Sequence, residues 1–234
     1  MLGRRRPAPP DVDALIDDEL GAGRPTGWFE PLYAALGGRQ ELLPWYREGP
    51  HPYLEGGLPV PAPATALVVG CGLGDDAAWL AGLGYRVTAF DLAPTAVRAA
   101  GARHPDAEID WRVADLLELP DDLRPADLVV EVHTVDHLPG VVRDAAMQAI
   151  ATLVAPGGSA LIVTRLATSR EVADRTPGPP WPQAPSELAA YRAGGLLRVS
   201  LEHPEPDEHG CLEVRLVLGR APVPGEDRGD ASSA

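Results

Sequence analysis

Cysteine, positive charge and long apolar runs are all in short supply in this chain of 234 residues. Its two cysteines, Cys71 and Cys211, lie far apart and fit neither a disulfide framework nor a metal-ligand spacing. A reducing compartment, the cytoplasm, is the expectation that follows. Lysine and arginine total 20 against 34 aspartates and glutamates, a formal net charge of −14. That balance argues against sequence-independent binding to nucleic acid or to an anionic membrane, since both need basic surface. No apolar run reaches transmembrane length. Arg4–Arg6 evoke an export signal, but Pro7, Pro9, Pro10 and Asp11 stand where its apolar stretch should be. What is plentiful is proline (26) and glycine (25), which implies many tight turns. Richness in Ala, Gly, Pro and Arg suits a GC-rich bacterial source. The length and the 45% hydrophobic content suit one domain with a small appendage.

Aromatic residues make up only 5% of the chain, so their clustering in residues 28–53 is informative. Trp28, Phe29, Tyr33, Trp45, Tyr46 and Tyr53 all fall there. Phe29, Leu32, Tyr33 and Leu36 form a helical stripe that stops at Gly37-Gly38. A short helix is expected before it, over Asp13–Leu20. The prolines at 59, 61 and 63 then lead into a regular alternation of strands and helices. Strands are expected near Thr65–Val69, Arg86–Phe90, Ile109–Val113, Leu128–Val132 and Ser159–Val163. A long helix over Val141–Leu153 should end at Pro156-Gly157-Gly158, and another should lie near Ser186–Ala193. Two further β-like runs, Leu196–Leu201 and Leu212–Leu218, read as an antiparallel pair on one sheet edge. The pattern predicts an α/β fold with a doubly wound, mostly parallel sheet. The expected divisions are an extension and helical lid over 1–63, the main domain over 64–220, and a disordered tail over 221–234.

Within ALVVGCGLGDD, a buried strand runs into Gly70, Cys71, Gly72 and Gly74, the turn of a nucleotide-type cofactor site. The dinucleotide fingerprint wants its third glycine one place later, where Asp75 stands. A carboxylate there repels a pyrophosphate but suits an uncharged or cationic group. Asp91, at the tip of the second strand and about 20 positions past the first glycine, is placed to accept hydrogen bonds from ribose hydroxyls. It can equally cap the helix that Pro94 opens. Asp115, after the third strand, can accept from an adenine amine with Leu116 against the ring, or be a plain surface aspartate.

The segments VVGCGLG, AFDLAP, VADLLEL, ADLVVEVHTVDHLP and VAPGG, in this order, resemble the class I S-adenosylmethionine-dependent methyltransferases. The resemblance implies a seven-stranded sheet whose sixth and seventh strands are antiparallel, and S-adenosylmethionine as cofactor. It places Gly70, Gly72 and Gly74 beside the methionine part, Asp91 at the ribose and Asp115 at the adenine; Cys71, Asp76, Leu92 and Leu116 join them as expected cofactor-site residues, Cys71 as a small buried filler of the turn. Val68 departs from the family's usual acidic residue at that position. The subgroup of thiopurine S-methyltransferase is loosely similar, with an apolar residue there, GCG following and an aspartate soon after. Its common arginine just past the fourth strand is missing, since Glu131 is followed by Val132-His133.

Glu131, His133, Asp136 and His137 gather at the end of the fourth strand, on the rim where such sheets bind ligands. Glu131 can meet the cofactor's ammonium group or cap the strand. Methyl transfer needs a base only when the acceptor must lose a proton, and histidine suits neutral pH. His133 is the candidate base or acceptor-orienting group. His137 is a second candidate, with a structural role as its alternative. No metal is expected, because the His133/His137 pair has no third ligand nearby in sequence. Trp45, with Trp28, Tyr33 and Tyr46, is expected to roof the cofactor, packing against the sheet being the equal alternative for Trp28 and Phe29; Pro179–Pro182 is a second candidate lid. The expected function is methyl transfer to a small-molecule S, O or N nucleophile by a monomer or homodimer, with no nucleic acid or membrane partner. The rivals are a non-catalytic S-adenosylmethionine-binding protein and a nicotinamide-dependent oxidoreductase.

Overall fold

The computed structural model describes residues 11–224. Residues 1–10 and nearly all of the expected disordered tail lie outside the described residues. Helix α1 (Val12–Gly21) is capped by the Asp11 carboxylate, which accepts from Ala14 N. Helix α2 (Phe29–Leu36) ends where the sequence predicts, on Gly37 in the left-handed region at φ 57°. A short α3 (Pro52–Glu55) follows. The core then alternates as β1 (Thr65–Val69), α4 (Asp75–Gly82), β2 (Arg86–Asp91), α5 (Pro94–Arg103), β3 (Ile109–Val113), β4 (Ala126–Val132), α6 (Gly140–Thr152) and β5 (Val154–Ala167). Two small helices, α7 (Arg170–Arg175) and α8 (Ala189–Ala193), precede β6 (Leu196–Glu202) and β7 (Cys211–Arg220).

One seven-stranded sheet has the order β3-β2-β1-β4-β5-β7-β6. The first five strands pair in parallel, and β7 pairs antiparallel with both β5 and β6. The expected sheet and edge hairpin are thus present. β5 differs from expectation: it extends back through Pro156-Gly157-Gly158 and onward to Ala167. Its pairing with β7 supplies partners for Thr164–Ala167, and Val154 at the other end pairs with Ala126 of β4. The helix expected near Ser186–Ala193 is shorter, confined to α8.

Alternation along β1 sets the two layers. Leu67 and Val69 face Met147 and Ile150 of α6, while Ala66 and Val68 face Ala77 and Leu80 of α4. Val68 therefore sits in an apolar layer, where an unpaired carboxylate would be costly. A third cluster joins Ile16, Trp28, Leu32 and Leu36 to Leu73 and to Ala93 and Ala96 at the start of α5. Glu30 fixes the seam, accepting from Thr95 N at 2.9 Å and Thr95 Oγ1 at 2.6 Å. The N-terminal segment is thereby docked over the carboxyl ends of the strands. No helix among the described residues is long and apolar enough to cross a membrane.

Candidate functional site

The order in which strands are added to the sheet reverses between β1 and β4, which are parallel neighbours although β2 and β3 intervene in sequence. Crevices at such switch points are where open α/β sheets hold ligands. A cleft opens there, lined by the β1–α4 turn, the ends of β2 and β4, the loop after β3, and the docked N-terminal segment.

The turn owes its glycines largely to packing. A Cβ on Gly70 (φ 60°) would collide with the Thr134 side chain, and one on Gly74 (φ 83°) with Trp111. Gly72 (φ 52°) donates its N–H to Asp91 Oδ2 at 2.9 Å, and a Cβ there would lie 3.2 Å from Tyr33 Oη. Ala93 N donates to Asp91 Oδ1 at 2.9 Å, and the N-cap of α5 is Ala93 itself. Burial pushes the Asp91 carboxyl above its usual range, while the Ala93 and Gly72 N–H groups oppose that. Each oxygen keeps a lone pair for a further donor. Asp115 lines the opposite end, its Oδ1 accepting from Leu117 N at 2.8 Å, with Leu92, Leu116 and Leu117 beside it.

Asp75 and Asp76 part company. Asp75 is ion-paired with Arg103 at 3.1 Å, so it repels an anion less than the bare sequence implies. Asp76 holds the roof instead: His51 N donates to it at 2.7 Å and Arg47 pairs with it at 3.3 Å. Burial raises its pKa, against the pull of Arg47 and the His51 amide. Cys71 also lines the cleft, and burial pushes its thiol well up, away from a nucleophilic thiolate.

Of the aromatics, Trp45, Tyr33, Tyr46 and Phe29 line the cleft, whereas Trp28 is wholly buried in the third cluster. Trp45 Nε1 donates to Tyr33 Oη at 3.3 Å, and its ring meets His137 edge-on at 5.0 Å. The Pro179–Pro182 loop is not among the lining residues. Its Trp181 N donates to Asp136 O at 2.6 Å, and Gln183 pairs with the end of β5.

The rim after β4 is rearranged relative to expectation. Glu131 lies beneath the cleft, fully buried, with Oε1 accepting from Thr134 N and Val135 N. Burial, with the nearby Asp136 charge, pushes its pKa up to about 8. It caps the following turn and is absent from the lining. Asp136 is also fully buried and receives His133 Nδ1 at 2.8 Å, His137 Nδ1 at 3.0 Å and Arg165 N at 2.9 Å. Burial opposes its ionisation, but the two imidazoles hold its carboxyl well below the usual range. His133 is engaged at both nitrogens, its Nε2 lying 2.8 Å from Glu213 Oε1. Burial works against its charge, yet the flanking carboxylates raise its pKa to about 10. At neutral pH it is an imidazolium with no lone pair to accept a proton. His137 meets Asp136 through Nδ1 alone, so Nε2 is its nitrogen directed away from that carboxylate. His51 and Glu213, which converge on His133, carry no motif spacing in the sequence and show only in the fold.

The methyltransferase-domain family matches residues 66–158. Ubiquinone biosynthesis O-methyltransferase of Xanthomonas axonopodis pv. citri (strain 306) is 32% identical over 145 residues, 56% of this chain and 58% of that protein. The chain thus spans little more than half the length of that curated relative. A structure described as the conversion of a disulfide bond into a thioacetal group during echinomycin biosynthesis is similar at TM-score 0.57 and 25% identity, covering 74% of this chain and 82% of that one. A TehB-like SAM-dependent methyltransferase from Corynebacterium glutamicum shares the fold at TM-score 0.58 and 20% identity, over 82% of this chain and 98% of its own. Sheet order, a cleft at the switch point and the matched segment thus coincide: residues 66–158 match a methyltransferase domain.

Proposed function

We propose that the chain transfers a methyl group from S-adenosylmethionine to a small-molecule nucleophile through oxygen, sulfur or nitrogen. The observation that carries this reading is a single cleft lined by Asp91, Asp115 and His137, with the buried Asp136 behind His137. Carboxylate acceptors suit a ligand with hydroxyl, amine and ammonium donors. They suit a pyrophosphate poorly, and the cleft's one lining arginine, Arg47, is already paired with Asp76. When bound, S-adenosylmethionine supplies an electrophilic methyl on a sulfonium.

The chain's own residues do the rest. Asp91 would hold the ribose, with Gly72 keeping that carboxylate in place; Asp115 and Leu116 would hold the adenine. Trp45, Tyr33 and Tyr46 exclude water over the cleft and offer π-faces to a cation. Displacement at a methyl is in-line, so much of the acceleration comes from holding the acceptor on the axis. His137 Nε2 takes the acceptor's proton where one must leave, with Asp136 stabilising the resulting imidazolium. His133, already protonated, serves as a positioning residue for Asp136. We assign the small lid to a small acceptor, the acidic chain to a protein without nucleic-acid partners, and the whole to the cytoplasm as monomer or homodimer.

A labelled-methyl assay over thiols, phenols and amines tests the reading. Turnover of at least one class supports it; binding of S-adenosylhomocysteine without any turnover would favour a non-catalytic binder. Stabilisation by NAD but not by S-adenosylhomocysteine would favour an oxidoreductase.

A further inference from the structure

Three segments remote in sequence bring donor atoms together beside the His133 edge of the cleft. His51 comes from the residue before α3, His133 from the loop after β4, and Glu213 from β7. His51 Nε2 lies 3.0 Å and His133 Nε2 2.8 Å from the same oxygen, Glu213 Oε1. The three donor atoms all fall within 4.8 Å of one another. His133 holds its place at φ 54°, in the left-handed region that is costly for a residue with a side chain. We infer that His51, His133 and Glu213 form a binding site for one divalent first-row transition ion, with Zn2+ the best fit.

The chemistry of the set supports this. Two imidazoles and one carboxylate are the ligand complement of open zinc sites, with metal–ligand distances of about 2.0–2.2 Å. A tetrahedral ion at those distances sets its ligands roughly 3.3 Å apart, a shift of a few tenths of an ångström for the two short pairs. Asp136 stands behind His133 and accepts from its Nδ1, as a carboxylate does that orients a ligating imidazole. Asp136 and Glu213 also supply two negative charges to a dication. On loading, His133 gives its Nε2 proton to solvent. His51 moves its proton from Nε2 to Nδ1, giving up the 3.2 Å bond from Tyr53 N, a first-turn donor of α3 that water can satisfy. The coordination shell stays open on one side. The Glu213 side chain is 43% exposed, and His133 borders both the main cleft and a smaller pocket with Arg165, Glu205 and Asp207. There a hydroxyl, carboxyl or thiol of the methyl acceptor would complete the shell, a corollary that rests on the methyl-transfer reading. The ion site itself does not.

The test uses tag-free protein, stripped with chelator and titrated with the metal alone. Zn2+ is followed by calorimetry and Co2+ by visible absorption, with no cofactor or acceptor present. The expected result is one ion per chain, the absorption of four- or five-coordinate cobalt, and a raised Tm. His51→Ala and Glu213→Gln should each weaken affinity at least tenfold. Asp136→Asn should weaken it by roughly 10–100-fold. The double variant of the exposed His203 and His209 should bind as the wild type does. Absence of uptake, or the spectrum of hydrated cobalt, would overturn the inference with the wild-type protein alone. So would binding unchanged by Glu213→Gln, whose half-exposed side chain makes that variant the least disruptive to folding.

Discussion

Replacing Asp91 by alanine separates a ligand-holding carboxylate from a structural one. In the folded protein its two oxygens accept from Gly72 N and Ala93 N, both at 2.9 Å. Losing them leaves two backbone donors without an acceptor, at about 1–3 kcal/mol for each that stays dry. Part of that is offset, because burial already disfavours the Asp91 charge. A net loss of about 2 kcal/mol lowers the melting temperature of a chain this size by roughly 4–8 °C. The fold should therefore persist at 20 °C, which circular dichroism checks. On the ligand side, the carboxylate offers charge-assisted bonds to ribose hydroxyls, and losing one costs about 1.5–3 kcal/mol. Affinity for S-adenosylhomocysteine, measured by calorimetry, should then fall about ten- to a hundred-fold. A folded variant that binds as tightly as the wild type would refute the ribose assignment. It would leave Asp91 as no more than the clasp of the glycine turn.

Three further substitutions test other parts of the account. His137→Ala should lower turnover by roughly 10²–10⁴-fold for an acceptor that must lose a proton, with cofactor affinity unchanged; equal turnover would remove it from the mechanism. Trp45→Ala gives up its edge contacts with Trp28, Tyr33 and His137 and should weaken cofactor binding by about 1 kcal/mol or more, read by calorimetry. Gly70→Ala places a Cβ against Thr134 at φ 60° and should cost about 1–3 kcal/mol in chemical denaturation; a neutral effect would show that the turn relaxes.

The parts of the fold legible in sequence are those with local causes. Strand–helix alternation, the Gly37 stop of α2 and the order of motifs are each written within a few residues. The same holds for the positions of Asp91, the last residue of β2, and Asp115, two residues past β3, both of which line the cleft. The rim resists such reading, since its chemistry depends on partners far along the chain. His133 looks like a free histidine until Asp136 and Glu213 take both of its nitrogens. His137 looks like a filler until the buried Asp136 carboxylate meets its Nδ1. Asp75 looks like a bare charge until Arg103 meets it from the far end of α5. The sequence also assigns the glycines to the ligand, whereas Gly70 and Gly74 answer chiefly to Thr134 and Trp111.

The most direct test of the central claim is a crystal structure of the protein with S-adenosylhomocysteine. The account predicts the ribose hydroxyls on the Asp91 carboxylate, the adenine beside Asp115 and Leu116, and the sulfur directed toward His137. A ligand bound elsewhere, or in this cleft with its ribose away from Asp91, would contradict it.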